Sequence, residues 1–232
     1  MRNRRGALLP LFVGLCLPLL GCISRPVRLS PETYAFTPVS PSSPQGSEAQ
    51  PILVLRSVRV VPAFSGQEFV YRAADHRYER DPYARFLSPP GLLIRSTASD
   101  LLQETGLFQL VATGASSLLT HSFAEISVRQ LYGDFRPDRK PAAAISLRFL
   151  VVQSPRGIPF WERTIARRIP LRERSASALM EGWNTGLRQI LLEAAPPLAE
   201  HVREADQAAR KAAEEAPQPK PPNGSTPPAP KS

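Results

Sequence analysis

The chain has 232 residues, 26 of them proline, with a formal net charge of +9 and only two cysteines, Cys16 and Cys22. Nothing after residue 22 can form a disulfide framework or a cysteine-based metal site, so those two classes are excluded for the bulk of the chain. The length is enough for one domain with a real core plus flanking segments.

In chain order, Arg2, Arg4 and Arg5 precede an apolar run over residues 7–20 that is broken by Pro10, Gly14 and Pro18. A basic start followed by a short apolar stretch reads as a signal peptide, residues 1–21. The run is too short to span a bilayer as a helix, which needs about 20 apolar residues. It ends in Leu19-Leu20-Gly21-Cys22, which resembles the lipobox of bacterial lipoproteins. The resemblance implies cleavage before Cys22, an S-diacylglycerol on its thiol and an N-acyl chain on the freed amine, with no other cofactor. Each buried methylene is worth about 0.8 kcal/mol, so two or more chains hold a protein on its membrane where one is marginal. Ile23 follows where an aspartate would imply retention in the inner membrane. The expected location is therefore the periplasmic face of the outer membrane. Loss of the three arginines would leave a charge of +6, which suits anionic lipid headgroups or simple solubility, and no nucleic-acid partner is expected.

Residues 22–50 are rich in proline and serine and read as a lipidated, extended tether. Apolar periodicity returns over residues 51–199. Ile52-Leu-Val-Leu55 and Val58-Arg-Val-Val61 read as a first strand, with Phe69-Val-Tyr-Arg72 as its hairpin partner after the turn signal Ser65-Gly66. Ser88 is placed to cap a helix opened by Pro89 and Pro90, with Ile94, Ala98, Leu101, Leu102 and Thr105 on one face and Gly106 at its end. Three strands are predicted at residues 123–132, 142–153 and 160–171. In the middle one Ala143, Ile145, Leu147, Phe149 and Val151 alternate on one side.

A second helix is predicted over residues 175–195, with Leu179, Trp183, Leu187, Ile190, Leu191 and Ala194 packed on the sheet and Pro196-Pro197 interrupting it. Residues 200–232 read as a basic Pro/Lys-rich disordered tail. The order of elements predicts an α+β fold, a two-layer sandwich of a twisted, largely antiparallel sheet with two helices on one face.

Catalytic signatures do not emerge. His76, His121 and His201 are far apart in sequence with no metal-ligand spacing, and there is no Gly-x-Ser-x-Gly elbow, phosphate loop or dinucleotide fingerprint. Asp134 and Asp138 flank Phe-Arg-Pro and read as a surface turn. The expectation is a non-enzyme, with a hydrolase assembled from distant residues as the remote alternative.

One succession of residues is more specific. Tyr34-Ala-Phe-Thr-Pro38 precedes Phe69-Val-Tyr-Arg72, Tyr78, Asp81-Pro-Tyr-Ala-Arg-Phe86, Ser88-Pro89, Gly106-Leu-Phe108 and Val111. Together with the lipobox this resembles the ABC-type transport auxiliary lipoprotein family, the PqiC-like lipoproteins, over residues 34–198. Arg85-Phe86 departs from the Arg-Trp frequent in that family, and the Pro/Lys tail is a second departure. The resemblance implies a non-catalytic auxiliary component of an intermembrane lipid transport system. Its partners would be a mammalian-cell-entry (MCE) protein and an ABC permease and ATPase, or another membrane permease. Tyr71, Arg72, Tyr78, Tyr83, Arg85 and Phe86 are the expected contact patch, because Tyr and Arg concentrate at interface hot spots. The alternative is an outer-membrane assembly lipoprotein resembling the lipopolysaccharide-assembly lipoproteins, which share a sheet-plus-two-helices plan.

The anchor is tested at Cys22. Cys22→Ser is expected to abolish palmitate incorporation and processing at Gly21-Cys22, because a hydroxyl does not replace the thiol in thioether formation; continued labelling at the same site would refute the lipobox reading.

Overall fold

The computed structural model describes residues 30–37, 50–114, 120–154 and 157–215. The expected signal peptide, Cys22 and the last residues of the tail lie outside these. The folded unit begins at Pro31. Its strands are β1 (Glu32–Tyr34), β2 (Ile52–Val60), β3 (Glu68–Ala74), β4 (Arg77–Phe86), β5 (Leu110–Thr113), β6 (Ser122–Asp134), β7 (Ala142–Gln153) and β8 (Ile158–Pro170). The helices are α1 (Pro90–Glu104) and α2 (Ala176–Glu214), and a single 3-10 turn, Pro62–Phe64, lies between β2 and β3.

β6 is the axis of the sheet. β7 runs antiparallel along its whole length, and β8 runs antiparallel to β7. On its other edge β2 and then β3 follow one another, both parallel to β6, with Val60 opposite Val128 and Tyr71 opposite Gly133. β5 lies parallel outside β2, β4 antiparallel outside β3, and β1 parallel outside β4. The result is a mixed, largely antiparallel eight-stranded sheet, open rather than closed into a barrel, with α1 and α2 packed on one face.

The core forms where the two periodicities meet. Ala143, Ile145, Leu147, Phe149 and Val151 of β7 are wholly buried, as alternation predicts. They face the α2 stripe Leu179, Trp183, Leu187, Ile190, Leu191 and Ala194, which is buried equally. Two glycines let the helix come this close. A Cβ on Gly182 would lie 2.7 Å from the Ala143 Cβ, and one on Gly186 would lie 2.7 Å from Ile145 Cγ2. Between them the Trp183 indole N–H donates to the Ala144 carbonyl at 3.2 Å, satisfying the one polar atom that burial of this side chain brings with it.

Four expectations are corrected. β2 and β3 do not form a hairpin; the turn at Asp75 and His76 makes β3 pair with β4, while the 3-10 turn lets β2 and β3 share one edge of β6. Ser88 does not cap α1, whose N-cap is Pro89 without a side-chain cap bond; Pro90 occupies the first turn, where its missing N–H costs nothing, and Gly106, at φ +66°, follows its end.

Part of the expected tether, residues 32–36, is built into the fold. Glu32–Tyr34 pairs with β4, and Phe36 is buried against Phe86 with ring centroids 6.2 Å apart. Local composition hid a single apolar anchor between prolines.

Lastly, Pro196 and Pro197 do not stop α2, and residues 200–214 of the expected tail are helical. Leu198, Ala199, Val202 and Ala205 bury themselves on the continuing stripe, Gln153 Nε2 donates to the Ala205 carbonyl at 3.3 Å, and the Thr120 hydroxyl donates to the Asp206 carboxylate at 2.7 Å. Burial beyond the prolines offsets the backbone bonds that they remove.

Truncation tests this. A chain ending at Arg210 is expected to keep its midpoint within about 1 °C, since the side chains described beyond it are exposed. A chain ending at Pro197 loses Leu198 and Val202, each worth about 1.5–3 kcal/mol, and at about 2–4 °C per kcal/mol its midpoint should fall by roughly 6 °C or more. Equal midpoints would show that the distal helix does not pack.

Candidate functional site

The six residues expected to form a contact patch all lie on β3 and β4, but the pleat divides them. Phe86 belongs to the core. It is 2% exposed, stacks on Trp183 at 5.5 Å and tilts against Phe69 at 4.7 Å, so it is corrected from a docking residue to a structural one. Tyr71 is half-buried on the same side, stacked on Phe135 at 4.8 Å, with its hydroxyl donating to Asp81 at 2.5 Å. Burial first, and then the Asp81 carboxylate, push its phenol well above the ordinary value.

Arg72 and Tyr78 are cross-strand partners on the other face, the one that the helices leave open, with the guanidinium 5.9 Å from the tyrosine ring. Tyr78 packs edge-on against Phe64 and Tyr132, yet remains 46% exposed. Tyr83 and Arg85 lie farther along β4, after the irregularity that separates the Arg80 and Arg85 pairings. Both are exposed, and Arg85 donates to the Gln67 side-chain oxygen at 3.2 Å.

Arg72 is less free than a surface reading implies, because it borders an ion network. Asp134, fully buried, receives Arg136 through two bonds of 2.9 and 2.7 Å and Arg168 through one of 2.6 Å. Arg136 reaches on to Asp75 at 2.5 Å, and Arg72 donates to the Asp75 carbonyl at 2.8 Å. The network ties the β3–β4 turn to the ends of β6 and β8. The Arg136 guanidinium, followed by Arg168, holds the Asp134 carboxyl far below the usual carboxylate range, and Arg136 lowers Asp75 likewise. The surface turn expected at Asp134 and Asp138 is thus half right: Asp138 is exposed, whereas Asp134 is the buried centre of the network. An aspartate two residues before an arginine was the signal available in the sequence, but only the second arginine, Arg168, 34 residues away, makes the cluster recognisable.

A groove of about 450 Å³ runs between the end of β8 and the start of α2, lined by Ile169, Leu171, Arg172, Glu181 and Gly182 among others. Its hydroxyls are otherwise occupied: Thr185 donates to the Glu181 carbonyl at 3.0 Å, and Ser177 lies 3.4 Å from the Tyr34 hydroxyl. His76 and His121 are exposed, while His201 stacks on Trp161 at 5.1 Å. Among the described residues no group of three or more His, Cys, Asp or Glu side chains could hold a metal ion, and no helix is long and apolar enough to cross a membrane.

No protein-family model and no curated protein matches this sequence. Solved structures do match. Protein XCC0632 from Xanthomonas campestris, of the family DUF330, is 18% identical with a TM-score of 0.64, over 76% of this chain and 99% of that one. An uncharacterized protein is 17% identical with a TM-score of 0.56, over 73% of this chain and 99% of that one. At such identities the likeness is one of fold alone.

The network makes its own prediction. Asp134→Ala strands two arginines and should cost about 3 kcal/mol, as breaking a buried pair does. Because both carboxyls are depressed on folding, their contribution is fully present above about pH 4, the unfolded value, and is lost as pH falls towards the folded values. Thermal unfolding from pH 7 to pH 2 should therefore show a steeper acid decline in the wild type than in Asp134→Ala; parallel profiles would remove the network from the stability of the fold.

Proposed function

We propose that this chain is a non-catalytic lipoprotein at the periplasmic face of the outer membrane, an auxiliary component of an ABC/MCE-type intermembrane lipid transport system that docks its MCE component. The observation that carries the reading is the lipobox Leu19-Leu20-Gly21-Cys22 followed so soon by a folded domain, with Tyr34 ending the edge strand β1 and Phe36 buried just after it. An adaptor needs an anchor, a lead and a rigid face, and no reacting group. The face proposed for docking is the open side of the β3–β4 hairpin, where Tyr78 stands exposed over Arg72 and the ion network beneath keeps the turn rigid. An exposed aromatic held by a fixed support loses little conformational entropy on binding.

Photo-crosslinking from a benzophenone amino acid at position 78, in intact envelopes, tests this. The expected product contains an MCE-domain protein and is at least several-fold stronger than that from position 163 on β8. A product containing a β-barrel assembly component would replace transport by assembly, and equal yields from the two positions would place the docking face elsewhere.

A further inference from the structure

The residue types on the outer half of β4 form a second surface, distinct from Arg72 and Tyr78. Ala84 and Phe86 point into the core, at 3% and 2% exposure, so Arg85 between them faces the other way, with Tyr83 just before and Leu87 in the bend just after. Tyr83 and Leu87 are 58% and 61% exposed, the two most exposed large hydrophobics among the described residues, and Arg85 is exposed between them. The Leu87 N–H donates to the Tyr34 carbonyl at 2.7 Å, so the stripe runs beside β1 along its whole length. Nearby carboxylates are already engaged: Glu68 with Arg80 at 3.5 Å, Glu32 with the Tyr34 hydroxyl, and Asp81 with the Tyr71 hydroxyl and with the N–H groups of Tyr83 and Ala84. Arg85 has no carboxylate partner among the described residues; its recorded hydrogen bond is to Gln67.

We propose that Tyr83, Arg85 and Leu87 form a membrane-contact stripe that rests on an anionic lipid surface. The proposal depends on the acylation of Cys22. Only residues 23–30 separate that cysteine from the folded unit at Pro31, and a chain reaches at most about 3.5 Å per residue, so the edge strand is held within about 30 Å of the lipid. That lead carries Arg25 and Arg28 and no acidic residue, and Arg85 carries the same sign. Basic residues are drawn to an anionic lipid surface. Tyrosine suits the headgroup layer, with an apolar ring and a polar tip, and Leu87 supplies apolar area beside it. Because the leash pays most of the entropy of approach, a small stripe is enough to choose which edge faces the membrane.

Signal-peptide removal leaves Cys22 as the sole cysteine, and acylation blocks its thiol, so one introduced cysteine can be labelled uniquely. The full acylated chain, carrying a nitroxide at Leu87→Cys or at Glu200→Cys, is reconstituted in phosphatidylglycerol/phosphatidylethanolamine vesicles with a nickel-chelating headgroup lipid as relaxer. Glu200 is 23 helical residues from Ser177, which contacts Tyr34, or about 35 Å along α2. The expected result is relaxation at position 87 at least threefold greater than at position 200. The difference should be lost when Tyr83→Ser and Arg85→Glu are added, and reduced in phosphatidylcholine vesicles. Equal relaxation at the two positions, or a difference that survives Tyr83→Ser with Arg85→Glu, overturns the proposal while leaving the lipoprotein reading intact. Absence of palmitate on Cys22, measured on the same preparation, overturns both.

Discussion

Trp183 stands where the helix layer, the long antiparallel strands and the β3–β4 lobe meet, and the packing of its ring determines how these parts are joined. Gly182 and Gly186 bring α2 down onto β7, where any Cβ would collide with Ala143 or Ile145. Only at that separation does the indole N–H reach the Ala144 carbonyl. The ring then meets Phe69 edge-on at 4.9 Å and lies over Phe86 at 5.5 Å, drawing β3 and β4 against the helix. Phe36 stacks behind Phe86, so the segment that leads in from the N-terminus is fixed by the same cluster. Removal of the indole would therefore loosen three elements at once.

That cluster decides what the hairpin can offer to solvent. Phe69, Tyr71 and Phe86 spend their rings on the helix side, which leaves the opposite pleat to carry Arg72, Tyr78, Tyr83 and Arg85. At the turn end, the Asp134-centred ion network fixes the backbone with charge. A buried pair of this kind adds little stability over an apolar core but makes a single arrangement strongly preferred once a partner would otherwise be stranded. At the other end, β1 covers the edge. One strand pair thus carries a rigid polar end and an amphipathic end.

Much of this was legible in the sequence, and the rest was hidden for identifiable reasons. β7 and the first five turns of α2 announce themselves because their periods, two and 3.6, are uninterrupted and their apolar residues large. Pairing was less legible. Nothing local distinguishes β2 and β3 as consecutive strands on one edge of β6 from a hairpin, since the decision rests on where β6 lies, more than 50 residues later. The continuation of α2 through Pro196-Pro197 is likewise a tertiary effect, set by the cavity that Leu198 and Val202 fill. Phe86 shows the limit for sites: aromatic and basic residues in one short segment look alike in sequence, and the pleat alone assigns Phe86 to the core and Arg85 to solvent. Leu87 escaped notice because an exposed leucine carries no signal until its neighbours are known.

Glu32–Tyr34 is an integral edge strand rather than part of the tether. Amide hydrogen exchange at Leu87, whose N–H donates to Tyr34, reads this directly in the mature protein. A protected Leu87 amide is expected in the wild type, with that protection selectively lost in Phe36→Ala and the Val61 amide, bonded to Val128, unchanged. A Leu87 amide that exchanges at the unprotected rate in the wild type would contradict it.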